Sequence, residues 1–186
     1  EFGVANFFYP EDESQYQRTT ELIESTLKTY NMPILAWRDV PVSNAAINDA
    51  AVEAQLPVKQ IVFARPADIS DNRSFEKSIN DALLDMETVG FSEDSMKGFY
   101  PLSMSSRTMV YKGRLNSNEV VPYFKDLSDA DMEISIFLFH TRFSTNTAPA
   151  AFMAQPFRRM AHNGELNTDK KNRLSEDAIA KYQSKK

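Results

Sequence analysis

Residues 2–9, Phe-Gly-Val-Ala-Asn-Phe-Phe-Tyr, form an apolar, β-prone run that Pro10 closes, and the acidic cluster Glu11-Asp12-Glu13-Ser14 behind it reads as a helix start. Tyr16, Ile23, Leu27 and Tyr30 then recur at helical spacing until Asn31-Met32-Pro33 breaks the pattern. Residues 34–42, which hold the single tryptophan Trp37, are a second strand candidate. An alanine-rich short helix is expected over 44–54 and a third strand over 58–64. Phe75, Ile79, Leu83 and Met86 mark the apolar stripe of a helix over 74–89, with Gly90 as its expected left-handed cap.

Beyond Gly90 the pattern turns to strands. Residues 103–111 read as a strand before a turn at Lys112-Gly113, 119–127 as a short helix, and 134–139, apolar except for Ser135, as a buried strand. Asn163-Gly164 is a two-residue hairpin turn by composition, and 175–182 suggests a last helix. Helices come early and strands later, without regular β-α-β alternation or internal repeat, so the expected class is α+β with mainly antiparallel strands in layers. No low-complexity linker divides the chain, and residues 1–186 are expected to form a single domain. The strand starting at residue 2 and the helix near the end both look like cuts within a larger domain, incomplete at both ends.

Composition narrows the chemistry. A net charge of -5, from 26 acidic and 21 basic residues, disfavours nucleic acid and anionic membrane as partners. The basic stretch 169–186 reads as a solvated helix face. No apolar run is long enough to span a bilayer and the start lacks a basic, apolar leader, so a cytoplasmic protein is expected. Cysteine is absent, which removes disulfides, thiolate metal sites, iron–sulfur ligation and a cysteine nucleophile from these residues. The five glycines form neither a dinucleotide nor a P-loop motif, and the two histidines, His140 and His162, sit in no metal-binding spacing; no metal is expected.

Two segments carry candidate chemistry: residues 140–146, His-Thr-Arg-Phe-Ser-Thr-Asn, and residues 161–167, Ala-His-Asn-Gly-Glu-Leu-Asn. Arg142, after an apolar run, needs an anionic partner, and its planar fork suits a carboxylate, whether of an internal Asp or Glu or of a ligand. Asn163 and Gly164 are read first as a turn; alternatively the Asn side-chain amide and the Gly backbone NH donate to an oxyanion, glycine allowing close approach. The histidines, on strand-like segments beside large apolar residues, read as structural.

Taken together, residues 140–147, the run Ala154-Gln155-Pro156-Phe157 and residues 162–168 resemble, in wording, order and spacing, the characteristic block of glutamate synthase class-II glutamine amidotransferase domains. Residues 37–42, Trp-Arg-Asp-Val-Pro-Val, resemble that family's tryptophan strand, and residues 105–113, Ser-Ser-Arg-Thr-Met-Val-Tyr-Lys-Gly, the segment that precedes its glutamine-site arginine. The resemblance runs from about residue 2 to about residue 173 and implies an N-terminal-nucleophile hydrolase fold, a four-layer αββα sandwich. It implies that Arg142 binds the α-carboxylate of L-glutamine and that Asn163 and Gly164 form the oxyanion hole. It further implies ammonia release for transfer to 2-oxoglutarate in the synthase domains of the same or a partner polypeptide, with FMN and an iron–sulfur cluster in the complete synthase.

The departures are as informative. The family's nucleophile is an N-terminal cysteine, whereas these residues begin Glu1-Phe2-Gly3 and contain no cysteine. The downstream acidic residue that holds the substrate amino group has no counterpart, since the match fades after Asn167-Thr168. These residues alone are therefore expected to be inactive. A non-catalytic module that binds glutamine or serves assembly is the other reading.

Overall fold

The computed structural model describes residues 1–93, 96–140 and 151–153. Within them the chain runs β1 (Phe2–Phe8), α1 (Glu13–Thr29), β2 (Ile34–Asp39), α2 (Asp49–Ala54), β3 (Val58–Ala64), α3 (Asn72–Gly90), β4 (Tyr100–Ser105) and α4 (Val120–Tyr123), with short 3-10 turns at Asn44–Ala46, Lys125–Ser128 and Ala151–Met153. The strands form one sheet in the order β2-β3-β1-β4 with every neighbouring pair antiparallel. It follows that β1 runs parallel to β2 and β3 parallel to β4, so α1 and α3 each carry the chain over an intervening strand in two interlocked split β-α-β units. The sequence reading missed that alternation.

Both long helices begin by the same device. The Asp12 carboxylate accepts hydrogen bonds from the amides of Ser14 and Gln15, and that of Asp71 from Arg73 and Ser74, satisfying donors that the first helical turn leaves unpaired. At its other end α1 closes in a Schellman motif: Asn31 takes a φ of 55°, its amide donates to Lys28 O, and the Met32 amide donates to Leu27 O. The break expected at Asn31-Met32-Pro33 is this turn.

The apolar stripes of α1 and α3 cover one face of the sheet. Leu22, Ile23 and Leu27 from α1 and Phe75, Ile79, Leu83 and Met86 from α3 pack on Ala5, Phe7, Ile61, Phe63 and Met104. A second, smaller cluster lies on the opposite face, where Phe8 and Val58 meet Val110, Tyr123 and Phe124 of the segment that follows β4. The α+β class and antiparallel pairing hold. Of the layers that the sandwich implies, the described residues supply a helical layer and one sheet.

Three local expectations are corrected. Gly90 is not a left-handed cap: it is the last helical residue of α3, Phe91 behind it has right-handed helical angles, and the positive φ falls on Gly98. Gly90 is small because Phe99 packs against it; a Cβ there would sit 2.6 Å from Phe99 Cδ1. The strand expected over 103–111 ends at Ser105, where Glu76 accepts bonds from the hydroxyls of Ser105 and Ser106 and from the Ser106 amide, turning the chain out of the sheet. Residues 134–139 form no strand and are exposed, with Ile136 80% and Phe139 73% accessible. An apolar run requires a receiving surface, and α1 with α3 on one side and residues 110–124 on the other already occupy this sheet. The last helix, the Asn163-Gly164 hairpin and His162 lie outside the described residues.

Gly90→Ala should test the packing explanation. Alanine gains roughly 1 kcal/mol of helix propensity over glycine, but the close Phe99 contact is expected to outweigh it. We expect a net loss of about 1–2 kcal/mol in urea unfolding. A more stable variant would show that the close approach does not govern this position.

Candidate functional site

Arg142, Asn163 and Gly164 lie outside the described residues, as does the run Ala154–Phe157. The structure does describe two other segments that carried the resemblance, the tryptophan strand and residues 105–113, as well as residues 140 and 151, which flank the Arg142 stretch in the sequence.

One row of side chains crosses all four strands on the face away from the long helices. Arg38 on β2 lies opposite Gln60 on β3, Gln60 opposite Asn6 on β1, and Asn6 opposite Ser103 on β4. Arg38 Nε donates to Gln60 Oε1 at 2.7 Å, Gln60 Nε2 to Asn6 Oδ1 at 2.8 Å, and Asn6 Nδ2 to Val110 O at 3.1 Å. Ser103 Oγ accepts the Val110 amide at 3.0 Å, so both backbone groups of Val110 are held by the sheet. At the other end Arg38 forks onto both oxygens of Asp126, and Tyr111 Oη donates to Asp126 Oδ2 at 2.8 Å. The row thus starts and finishes on the adjacent residues Val110 and Tyr111. Asn6 is fully buried and Gln60 nearly so, which makes their mutual satisfaction a condition of the fold.

The electrostatics follow from this packing. Burial pushes the Asp126 carboxyl upward, but the bonds from Arg38 and Tyr111 outweigh it and leave it below the usual carboxylate range. Burial, reinforced by the bond to Asp126, raises the Tyr111 hydroxyl to about 12, so it remains a donor at neutral pH. Glu119 makes a second clasp: it accepts from the Asn116 amide and from Asn48 Nδ2, and these bonds hold its carboxyl below the ordinary value. Asn48 also caps α2 through Ala51 N, so this short helix is tied to the segment entering α4.

Trp37 points to the other face, where it is partly buried and edges onto Tyr9 at 6.4 Å between ring centroids. His140, read from sequence as a structural residue on a strand, is exposed in irregular chain beyond the apolar run. The cavity bounded by Phe8, Val58, Lys112, Tyr123, Phe124 and Ala151 is about 10 Å³, the size of a water molecule and far below a ligand pocket. An iron–sulfur cluster does not fit these residues, since no cysteine is present to ligate one. Among the described residues no three His, Asp or Glu side chains gather as a metal cradle. No helix among the described residues is long and apolar enough to cross a membrane.

The described geometry therefore joins two of the segments that carried the resemblance, with Arg38 of one bound through Asp126 to Tyr111 of the other. Comparison with known proteins decides the family: the sequence model described as class-II glutamine amidotransferases matches residues 1–184. The chain belongs to the class-II glutamine amidotransferases. Similar proteins include the large chain of the NADPH glutamate synthase of Bacillus subtilis, 34% identical over 167 residues that cover 90% of this chain and 11% of that protein. The NADH glutamate synthase of Saccharomyces cerevisiae is 30% identical over 172 residues, 90% of this chain and 8% of its own. Ferredoxin-dependent glutamate synthase 1 of Arabidopsis thaliana is 32% identical over 166 residues, 89% and 10% respectively. The chain thus spans about a tenth of the length of the curated relatives it matches.

Within this amidotransferase segment the polar row was invisible to sequence reasoning. Arg38 and Asp126 are 88 positions apart, and no local pattern pairs Asn6 with Gln60, 54 positions away.

The Arg38–Asp126 pair gives a pH-dependent prediction. Because the folded-state pKa of Asp126 is depressed, its contribution is present above about pH 4 and is lost as pH falls through the lower folded value. Asp126→Asn should cost about 1 kcal/mol at pH 7, a modest figure because Arg38 is partly solvated. The gap to the parent in urea unfolding should shrink progressively as pH falls below about 4. A gap that stays constant with pH would assign the stability to something other than this pair.

Proposed function

We propose that the chain is part of the glutamine-hydrolysing domain of a glutamate synthase, supplying the substrate clamp and the oxyanion hole for ammonia release from L-glutamine. The observation that carries this reading is the family match over residues 1–184 together with the order of the motif words around Arg142 and Asn163-Gly164. In it Arg142 grips the α-carboxylate bidentately, which suits a planar guanidinium. The Asn163 amide and the Gly164 backbone NH donate to the oxygen that becomes negative when the side-chain amide is attacked. The attacking group is a cysteine thiol activated by its own α-amino group, supplied from outside these 186 residues, which contain no cysteine. Ammonia then passes to a synthase domain of the same or a partner polypeptide, where FMN and the iron–sulfur cluster belong, for addition to 2-oxoglutarate. Residues 1–186 are on this view one partial domain. A cytoplasmic location goes with it, although the Arabidopsis relatives carry chloroplastic or chloroplastic/mitochondrial in their names.

The missing thiol supports a second reading, a glutamine-binding or assembly module without catalysis. The two separate by affinity. As half of a site, the chain should release no ammonia from glutamine and bind it weakly, near the millimolar level that corresponds to about 4 kcal/mol, with binding lost in Arg142→Ala. Calorimetric titration that finds micromolar binding without turnover supports the module instead. Equal binding by Arg142→Ala would remove Arg142 from the site, and turnover by the chain alone would overturn the external nucleophile.

A further inference from the structure

Lys112 is a charged residue where charge is expensive. The residue is 4% exposed and lines a small cavity with Phe8, Val58 and Phe124 of the second apolar cluster. The ammonium lies 4.8 Å from the centroid of the Tyr100 ring on β4 and donates to the backbone carbonyl of Phe152 at 2.9 Å. Around it the contacts continue: the Phe152 ring lies 5.7 Å from Tyr100, Tyr100 stacks on Phe91, and Ala151 is buried in the same cluster. The lysine is itself held in place. Val110 and Tyr111, immediately before it, are the two ends of the polar row across the sheet. Residue 152 is therefore tied through the Lys112 ammonium, beside the ring contact of Phe152 with Tyr100, to a segment that the polar row fixes to the sheet.

Residue 152 lies ten positions after Arg142. We infer that Lys112 is a positioning residue that fastens the C-terminal end of the Arg142 segment to β4, and so sets where the proposed carboxylate clamp is presented. The inference rests on the glutamine reading for its functional half only. The anchoring half stands on the contacts of Lys112. A lysine suits the task because its apolar stem packs in the cluster while its head serves a ring face and a carbonyl that an aliphatic residue would leave unbonded.

The test uses the 186-residue chain. Lys112→Met keeps the stem and most of the volume but removes the ammonium. Hydrogen exchange read by mass spectrometry should show the amides of 151–153 exchanging roughly tenfold faster, the equivalent of losing the ammonium–carbonyl bond, while peptides from β1, β3 and α3 keep their rates. Glutamine affinity should fall by a similar factor, and Lys112→Arg, which restores a cationic donor, should recover most of both. Unchanged exchange over 151–153 in a folded Lys112→Met protein, or equal acceleration throughout the chain, overturns the anchor. Should Lys112→Met fail to fold, Tyr100→Leu, which removes the ring beside the ammonium, must give the same local pattern, and its absence there is equally decisive. If the parent chain binds no glutamine, the glutamine reading fails by itself and the exchange measurement still decides the anchor.

Discussion

The row Arg38–Gln60–Asn6–Ser103 is the constraint on which the rest of this structure depends. A sheet face with polar residues at its centre cannot be covered by an arbitrary apolar layer, because each buried amide left unpaired costs on the order of 1–3 kcal/mol. The covering segment must present a carbonyl and an amide to Asn6 and Ser103, and a carboxylate and a hydroxyl at the Arg38 end. Residues 110, 111 and 126 do this. Apolar contacts among Phe8, Val58, Tyr123 and Phe124 supply area but little direction; the hydrogen bonds fix the register of the covering segment. A one-residue slip of 110–111 would break the bonds of Val110 to Asn6 and Ser103 and of Tyr111 to Asp126 at once.

That division explains what the sequence disclosed. Features set by local physics were legible: β1 and β3, the two long helices with their stripes, and the stop at Asn31 all depend on spacing or on residues within a turn of each other. The split β-α-β connectivity was not, since strand order depends on which edges meet. Gly90 shows the same limit at a single residue: glycine after an apolar stripe suggests a left-handed cap, and only the ring of Phe99 reveals that here the missing Cβ matters. Residues 134–139 show it for a whole element. Hydrophobicity states that a segment will gain from burial but does not name the surface that receives it.

The candidate site divides along the same line. Arg142, Asn163 and Gly164 were singled out because their residue types suit a carboxylate and an oxyanion, and because their words stand in family order. Arg38 and Lys112 belong to quoted segments, yet nothing local marked either as a link. Arg38 reaches Asp126 across 88 positions and Lys112 reaches Phe152 across 40. Long cationic side chains that end on distant acceptors are what a linear pattern cannot resolve.

Oxyanion donors and carboxylate clamps contribute to catalysis only when they are held in place before the substrate arrives, since reorganising them during reaction would consume the stabilisation they offer. In the proposed reading the reacting thiol comes from elsewhere, so rigidity is the main thing these residues can contribute. The polar row has the attributes that task demands: a fully buried amide, a charge fork at one end, and a tyrosine kept protonated by burial and by its carboxylate. Replacing the row with well-packed aliphatics could leave the fold equally stable, as it often does for buried polar groups. It would remove the directional bonds that fix residues 110–112, and with them the seat of the Lys112 ammonium on which residue 152 depends.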